Sequence, residues 1–282
     1  MIQLEIQPVS RNTLALIDPR LRSNAGAILF DDFIVVVDAT LRPDAAGVFR
    51  TLLQDTYRRP VRYLCLTHHH SDHIFGLKPF KDVTLFAAHP FAANLQRRAS
   101  SDWTPEALAA LKAEDPLANA WIDEVELILP PVLFHQRLDI VHHQRRVEFH
   151  HSGGHTDCSV YAYDPGERTL FAGDLIFSGR LPYAGDPTCD PERWMAALRG
   201  WLDLEIEHVV PGHGPLADKG EIEKQLAFLE QLKDATLHAI RAGQAPQAIQ
   251  MPALYPVDER SQWFVEPTQA RWHAYYLQHS GG

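Results

Sequence analysis

The stretch 67-THHHSDHIFG-76 places four histidines and one aspartate in six consecutive positions, His68 to His73. Imidazole and carboxylate at this density suit zinc, and also iron, manganese or cobalt. In an extended segment side chains alternate, so His68 and His70 project to one side and His69 to the other. His68 and His70 can grip one ion together, whereas His69 reads as a solvent-facing or supporting residue. Asp72 and His73 follow once the chain has turned, and they can address a second ion beside the first. One loop does not close a metal site. Three further candidates stand just past strands, each with glycine beside it: His155 in 152-SGGHTD-157, Asp174 ending 169-TLFAGD-174, and His213 in 210-VPGHGP-215. Side chains exposed on loops at strand ends are how α/β folds build sites.

The surrounding pattern supplies such strands. Short apolar runs at 13-TLALID-18, 24-NAGAILF-30 and 33-FIVVVDAT-40 are separated by turn residues, and 2-IQLEIQPV-9 alternates like a strand. A helical period over 44-DAAGVFRTLLQDTYRR-59 stops at Pro60, and the buried-type strand 61-VRYLCLTH-68 then delivers the histidine loop. A short helix at 74-IFGLKPF-80 and a strand at 83-VTLFAA-88 complete a βαβα rhythm, which implies helices covering a sheet. Residues 89–130 differ: 105-PEALAALKAEDPLANAWIDEVELIL-129 is largely helical with Pro116 inside it, and reads as an insertion or lid forming one wall of a pocket. Strands return at 132-VLFHQRLDIV-141, 145-RRVEFHH-151, 159-SVYAYD-164 and 168-RTLFAGD-174, the last two joined by an Asp-Pro-Gly-Glu turn. Helix 191-PERWMAALRGWLDL-204, strand 206-IEHVVPG-212, a long helix over 220–243 and an amphipathic helix over 267–279 finish the chain. We read 1–282 as one domain, with 220–282 as a C-terminal helical tail.

Composition narrows the function classes. The chain has 282 residues, 45% of them hydrophobic, with 36 acidic against 26 basic residues and a formal charge of −10. An acidic balance without a basic stripe argues against nucleic acid. No basic, apolar leader pattern follows Met1, and no apolar run reaches the roughly 20 residues that a membrane helix needs. Three cysteines without a CxxC pair favour a reducing compartment, so a cytoplasmic protein acting on a small molecule is expected. Nothing in the sequence decides an oligomeric state.

In order, HxHxDH, GGHT, AGD and PGHG resemble the metallo-β-lactamase superfamily of dinuclear hydrolases. The resemblance runs from 24-NAGAILF-30 to the PGHG loop. It implies an αββα sandwich with the metals at one edge. It also implies a ligand set: His68, His70 and His155 on one ion, Asp72, His73 and His213 on the other, and Asp174 between them. Two zinc ions would be expected, with iron or manganese as substitutes. A metal-bridged hydroxide would attack an ester, thioester, lactone or similar substrate. Asp72 would orient that hydroxide and pass a proton to the leaving group, and Asp38 would brace the ligand loop.

Departures from the family patterns are informative. Asp174 stands where certain lactamases carry cysteine, His70 where the di-iron members carry glutamate, and Gly214-Pro215 where glyoxalase II has Glu-Tyr. The segment 173-GDLIFSGRLP-182 followed by PGHGP resembles metallohydrolases linked to quinoprotein and sulfur-oxidation systems. The segment 154-GHTDC-158 is similar to persulfide dioxygenases, which bind a single iron; that enzyme, or a metal-binding protein without catalysis, is the alternative reading. Tyr183, in 178-SGRLPYAGDP-187, could donate a hydrogen bond to an oxyanion. The histidine doublets 142–143 and 150–151 read as sheet surface without carboxylates nearby. Cys158 reads as a small residue opening a strand. The tail aromatics Trp263, Phe264, Trp272, Tyr275 and Tyr276 read as core packing.

Overall fold

The computed structural model describes residues 3–114 and 118–279. A first sheet contains, in spatial and chain order, β1 (Ile6–Pro8), β2 (Thr13–Leu16), β3 (Ala25–Leu29), β4 (Ile34–Val37), β5 (Val61–Cys65), β6 (Thr84–Ala88) and β7 (Val132–Phe134). Strands β1 to β4 pair antiparallel, and β4 to β7 pair parallel. The parallel connections carry helices: α1 (Pro43–Tyr57), α2 (Ser71–Ile74), α3 (Phe91–Ser101) and α4 (Pro105–Glu114). In α1, Pro43 occupies the first turn, where its missing N–H costs nothing, and Arg58 ends the helix in the left-handed region just before Pro60.

The second sheet follows the order β12-β11-β10-β9-β8, with β8 (Arg137–His142), β9 (Arg145–His151), β10 (Val160–Asp164), β11 (Thr169–Phe177) and β12 (His208–His213). Its pairs are antiparallel except for β11 with β12. The two sheets pack face to face, since one continuous core joins Ala27, Val35 and Leu64 to Val147, Phe149, Val160 and Phe171. A second core lies between the second sheet and α5 (Pro191–Leu202), α6 (Lys219–Arg241) and α7 (Gln262–His279), with Trp194, Leu198, Phe228 and Trp272 at its centre. With α1 on the first sheet, the layers are αββα. All residues of β4 and of β11 are buried, as strands covered on both faces should be, whereas the edge strand β8 alternates exposed and half-buried positions. Among the described residues no helix is long and apolar enough to cross a membrane.

Several expectations need correction. The run 132–141 is two strands, not one. The chain leaves the first sheet after Phe134, whose carbonyl accepts from His89 N–H, and enters the second at Arg137, just after the Gln136 carbonyl accepts from His151 N–H. The apolar residues on both sides of 135–137 make the two strands read as one run. Among the described residues the insertion is helical over Pro105–Glu114 and makes short 3-10 turns at Ala118–Ala120 and Ile122–Glu124, with no helix over 125–131; Pro116 lies outside the described residues. The final helix begins at Gln262 and carries Pro267 within it. Asp174 does not end its strand, because β11 continues to Phe177 through register shifts at Gly173. Those shifts turn the Asp174 side chain out of the ladder and into the site.

Candidate metal centre

The seven candidate ligands reach one edge of the sandwich from both sheets. His68, His70, Asp72 and His73 follow β5 and enter α2, His155 lies in the loop between β9 and β10, Asp174 sits in the β11 irregularity, and His213 closes β12. Their donor atoms gather in two groups: His68, His70, His155 and Asp174, and Asp72, His73 and His213. Asp174 connects them. Its Oδ2 lies 3.1 Å from His213 Nε2, 3.5 Å from His155 Nε2 and 3.7 Å from His68 Nε2, and its Oδ1 lies 3.0 Å from His73 Nε2. Asp72 Oδ2 is 3.5 Å from His213 Nε2 and 3.9 Å from His73 Nε2.

Each imidazole has one nitrogen engaged by the protein, which fixes the direction of the other. His73 Nδ1 donates to Asp38 Oδ2 (2.8 Å), His155 Nδ1 to the Tyr183 carbonyl (2.9 Å) and His213 Nδ1 to the Arg22 carbonyl (2.7 Å). His70 Nε2 donates to Asp186 Oδ2 (2.9 Å), which leaves Nδ1 facing His155 Nε2 at 3.1 Å. Thr67 Oγ1 donates to Asp38 Oδ2 (2.7 Å), so it accepts from His68 Nδ1 at 3.1 Å. Asp38 thus orients two ligands, and it also takes the Thr67 N–H at 2.8 Å. It does so from a left-handed backbone (φ 63°), a conformation uncommon for a residue other than glycine.

Burial and charge then determine what the pocket will hold. Burial pushes His68 well below the usual imidazole range and His155 down to about 4, so both present neutral lone pairs. Burial opposes ionisation of Asp174, but His213, His73 and His68 hold its carboxyl well below the carboxylate range. Burial also works against charge on His73, yet Asp174, Asp38 and Asp72 together raise its pKa well above the ordinary value, so this corner gathers positive charge. His68 Nε2, His73 Nε2 and Asp174 Oδ1 are buried without a hydrogen-bond partner. Buried polar atoms rarely remain unpaired, and a cation between them would satisfy all three at once. The donor set fits two metal ions of the zinc class.

The structure corrects or extends several readings. His69 does not face solvent: it is fully buried, its Nδ1 is 3.3 Å from Cys158 Sγ and its Nε2 is 3.8 Å from Asp186 Oδ2. Cys158 is buried too, which pushes its thiol up to about 12 and makes it a poor nucleophile. Asp186, which the sequence shows only as a turn residue, is fully buried and shared by His70, Thr188 and Arg98. The histidine doublets do have carboxylates nearby, with His142 Nε2 3.2 Å from Asp32 and His150 Nε2 3.0 Å from Glu148. In the tail, Phe264, Trp272 and Tyr276 are core, but Trp263 is exposed and, with one side of Phe264, lines the open cavity above the ligands. That cavity, about 1060 Å³, is also lined by Arg98 and Trp103 of the insertion and by Tyr183. The Tyr183 ring stands 6.1 Å from those of His70 and His155.

A family model described as the metallo-beta-lactamase superfamily matches residues 18–213, which carry all seven ligands. The chain belongs to that superfamily. Among curated proteins it is 28% identical over 220 residues to the alpha subunit of 2,4-dinitroanisole O-demethylase from Nocardioides sp. strain JS1661, covering 77% of this chain and 60% of that one. It is 26% identical over 205 residues to the acyl-coenzyme A thioesterase MBLAC2 of Gallus gallus, covering 64% and 63%. The chain therefore spans about 60% of the length of these superfamily relatives. Among solved structures, a metallo-beta-lactamase from Pontibacter korlensis superposes with a TM-score of 0.62 at 20% identity over 81% of this chain and 99% of that one, a likeness of fold.

Proposed function

We propose that this superfamily member is a dinuclear zinc hydrolase acting on an ester, thioester or lactone. The observation that carries this reading is the convergence of two donor groups on one shared carboxylate, Asp174. Similarity to proteins named acyl-coenzyme A thioesterases puts thioesters first among the substrates to try. His68, His70 and His155 would hold one ion, Asp72, His73 and His213 the other, and Asp174 both; iron or manganese suits the same donors. Two such ions lower the pKa of a water to about 7 and polarise an acyl oxygen.

This chain's own residues supply the rest. Asp72, half-buried at the cavity floor, orients the water through one carboxylate oxygen and carries its proton to the departing alkoxide or thiolate as the acyl carbon gains the water oxygen. Burial, and then Asp186, push the Tyr183 phenol up to about 12, so it stays protonated and can donate to the oxygen that gathers charge. Phe177 stacks on His213 at 4.9 Å and, with Trp103 and Phe264, keeps the floor apolar. The complete second donor group favours this reading over a single-iron dioxygenase.

Elemental analysis of protein purified without added metal should give close to two zinc ions per chain. Asp72→Ala should then lower kcat on a panel of thioesters, esters and lactones by about two to four orders of magnitude. Undiminished turnover, or about one iron per chain with oxygen uptake, would overturn the proposal. A milder effect is expected at Asp186→Asn, which keeps the shape but removes the charge that sets the His70 tautomer. Zinc affinity measured by competition with a chelator should fall about 10- to 100-fold. An unchanged affinity would mean that Asp186 serves only packing.

A further inference from the structure

Five arginines line the cavity mouth, and they fall into two classes. Arg20 is held by Asp18, and Arg98 by Asp102 and Asp186. Arg22, Arg180 and Arg260 have no ion pair and no side-chain hydrogen bond among the described residues, although all three line the cavity. Asp258 feels the Arg180 charge without pairing with it, since its carboxylate accepts from Ser261 Oγ at 2.7 Å and from the Arg260 N–H at 3.1 Å. Three uncommitted guanidinium groups around one opening, in a chain of net charge −10, form a local field opposite in sign to that of the whole molecule.

Arg22 is placed at a conformational cost. Ser23 N donates to the Leu21 carbonyl at 2.8 Å, and Arg22 between them has φ 66° and ψ −48°. That is a γ-turn of the positive-φ type, rare and strained for a residue with a side chain. The turn aims the Arg22 carbonyl at His213 and leaves its side chain on the cavity wall. Trp263, which lines the same cavity as Arg260, is 62% exposed, met edge-on by Phe264 at 4.4 Å and at a tilt by Tyr183 at 5.4 Å. A rigid indole with an open face beside free cations suits a planar ring attached to phosphate.

We propose that Arg22, Arg180 and Arg260 form a collar that binds a phosphorylated leaving group of the substrate, with Trp263 stacking on a ring it carries. One bidentate arginine would satisfy a carboxylate; three match the several oxygens and charges of phosphate esters and diphosphates. A cavity of about 1060 Å³ has room for such a group together with the acyl chain. This assignment rests on the hydrolase reading but is testable apart from it.

The zinc-loaded protein is assayed with three thioesters of one acyl chain: hexanoyl-coenzyme A, S-hexanoylglutathione (carboxylates, no phosphate) and S-hexanoyl-N-acetylcysteamine (neutral). In parallel, desulfo-coenzyme A, which has no thiol, is titrated by calorimetry at low and high salt. The phosphorylated thioester should exceed the neutral one in kcat/KM by about 100-fold, mainly through KM. Arg180→Gln with Arg260→Gln should shrink that ratio by about tenfold or more and weaken desulfo-coenzyme A binding in step, more visibly at low salt. Arg22→Gln is the second variant, checked for zinc content because its carbonyl supports His213. A ratio near one, a ratio the substitutions do not alter, or a glutathione thioester that performs as well would overturn the collar. If no thioester reacts, the hydrolase reading fails on these substrates, and the calorimetry still decides: salt-sensitive binding lost in the variants supports the collar, and no binding refutes it.

Discussion

Asp174→Ala should leave the protein with about one zinc ion per chain or fewer and cut turnover on the order of a thousandfold or more. Asp174 is 5% exposed and, among the described residues, is the one carboxylate within reach of His68, His73, His155 and His213 together. Without it the remaining groups are mostly imidazoles, and two cations a few ångströms apart would repel with no carboxylate between them. Elemental analysis and kcat on the best substrate check both halves of this expectation. Two zinc ions retained with ordinary turnover would show that Asp174 is not shared, and the dinuclear reading would fall with it.

Gly212→Ala should damage the fold and the metal site together. A Cβ there would lie 2.0 Å from Asp174 Oδ1, 2.6 Å from the Gly173 carbonyl carbon and 2.8 Å from the Asp174 backbone nitrogen. Two of those atoms are main chain, so no side-chain rotation relieves the clash; β11 and β12 must separate. Overpacking of this kind costs about 3 kcal/mol or more, read from the urea midpoint at unchanged slope. Zinc content should fall as well, because the same displacement moves Asp174 and His213. An alanine variant with the parent's midpoint and metal content would mean that the strand pair is softer than its packing implies.

Much of this centre can be read from residue order. The 68–73 stretch carries its own geometry, and glycines beside His155, Asp174 and His213 mark points of close backbone approach. The layered fold follows from the same periodicities, because strands covered on both faces, such as β4, read as unbroken apolar runs. What escaped detection depends on partners distant in the chain. Asp186 has no local signature; its role exists only because His70 lies beside it. The break at His135 is hard to see in a short run whose halves are both strand-like and join different sheets. Trp263 belongs to a helix whose other aromatics are buried or half-buried, and its position at the start of α7 brings it to the cavity. The free arginines are distinguished from the paired ones solely by which carboxylates lie near them.

Because the ligands come from both sheets, the centre is also a joint between the two halves of the sandwich. Asn24, beside β3, anchors the same joint by donating to the carbonyls of Pro211 and Gly214. An unfolded chain could offer a cation only the 68–73 segment, whereas the docked sheets offer the full set. The difference in affinity between those states is stabilisation, and it grows with free metal concentration. With metal bound, the centre would therefore act as a reversible cross-link whose strength is set by the metal supply.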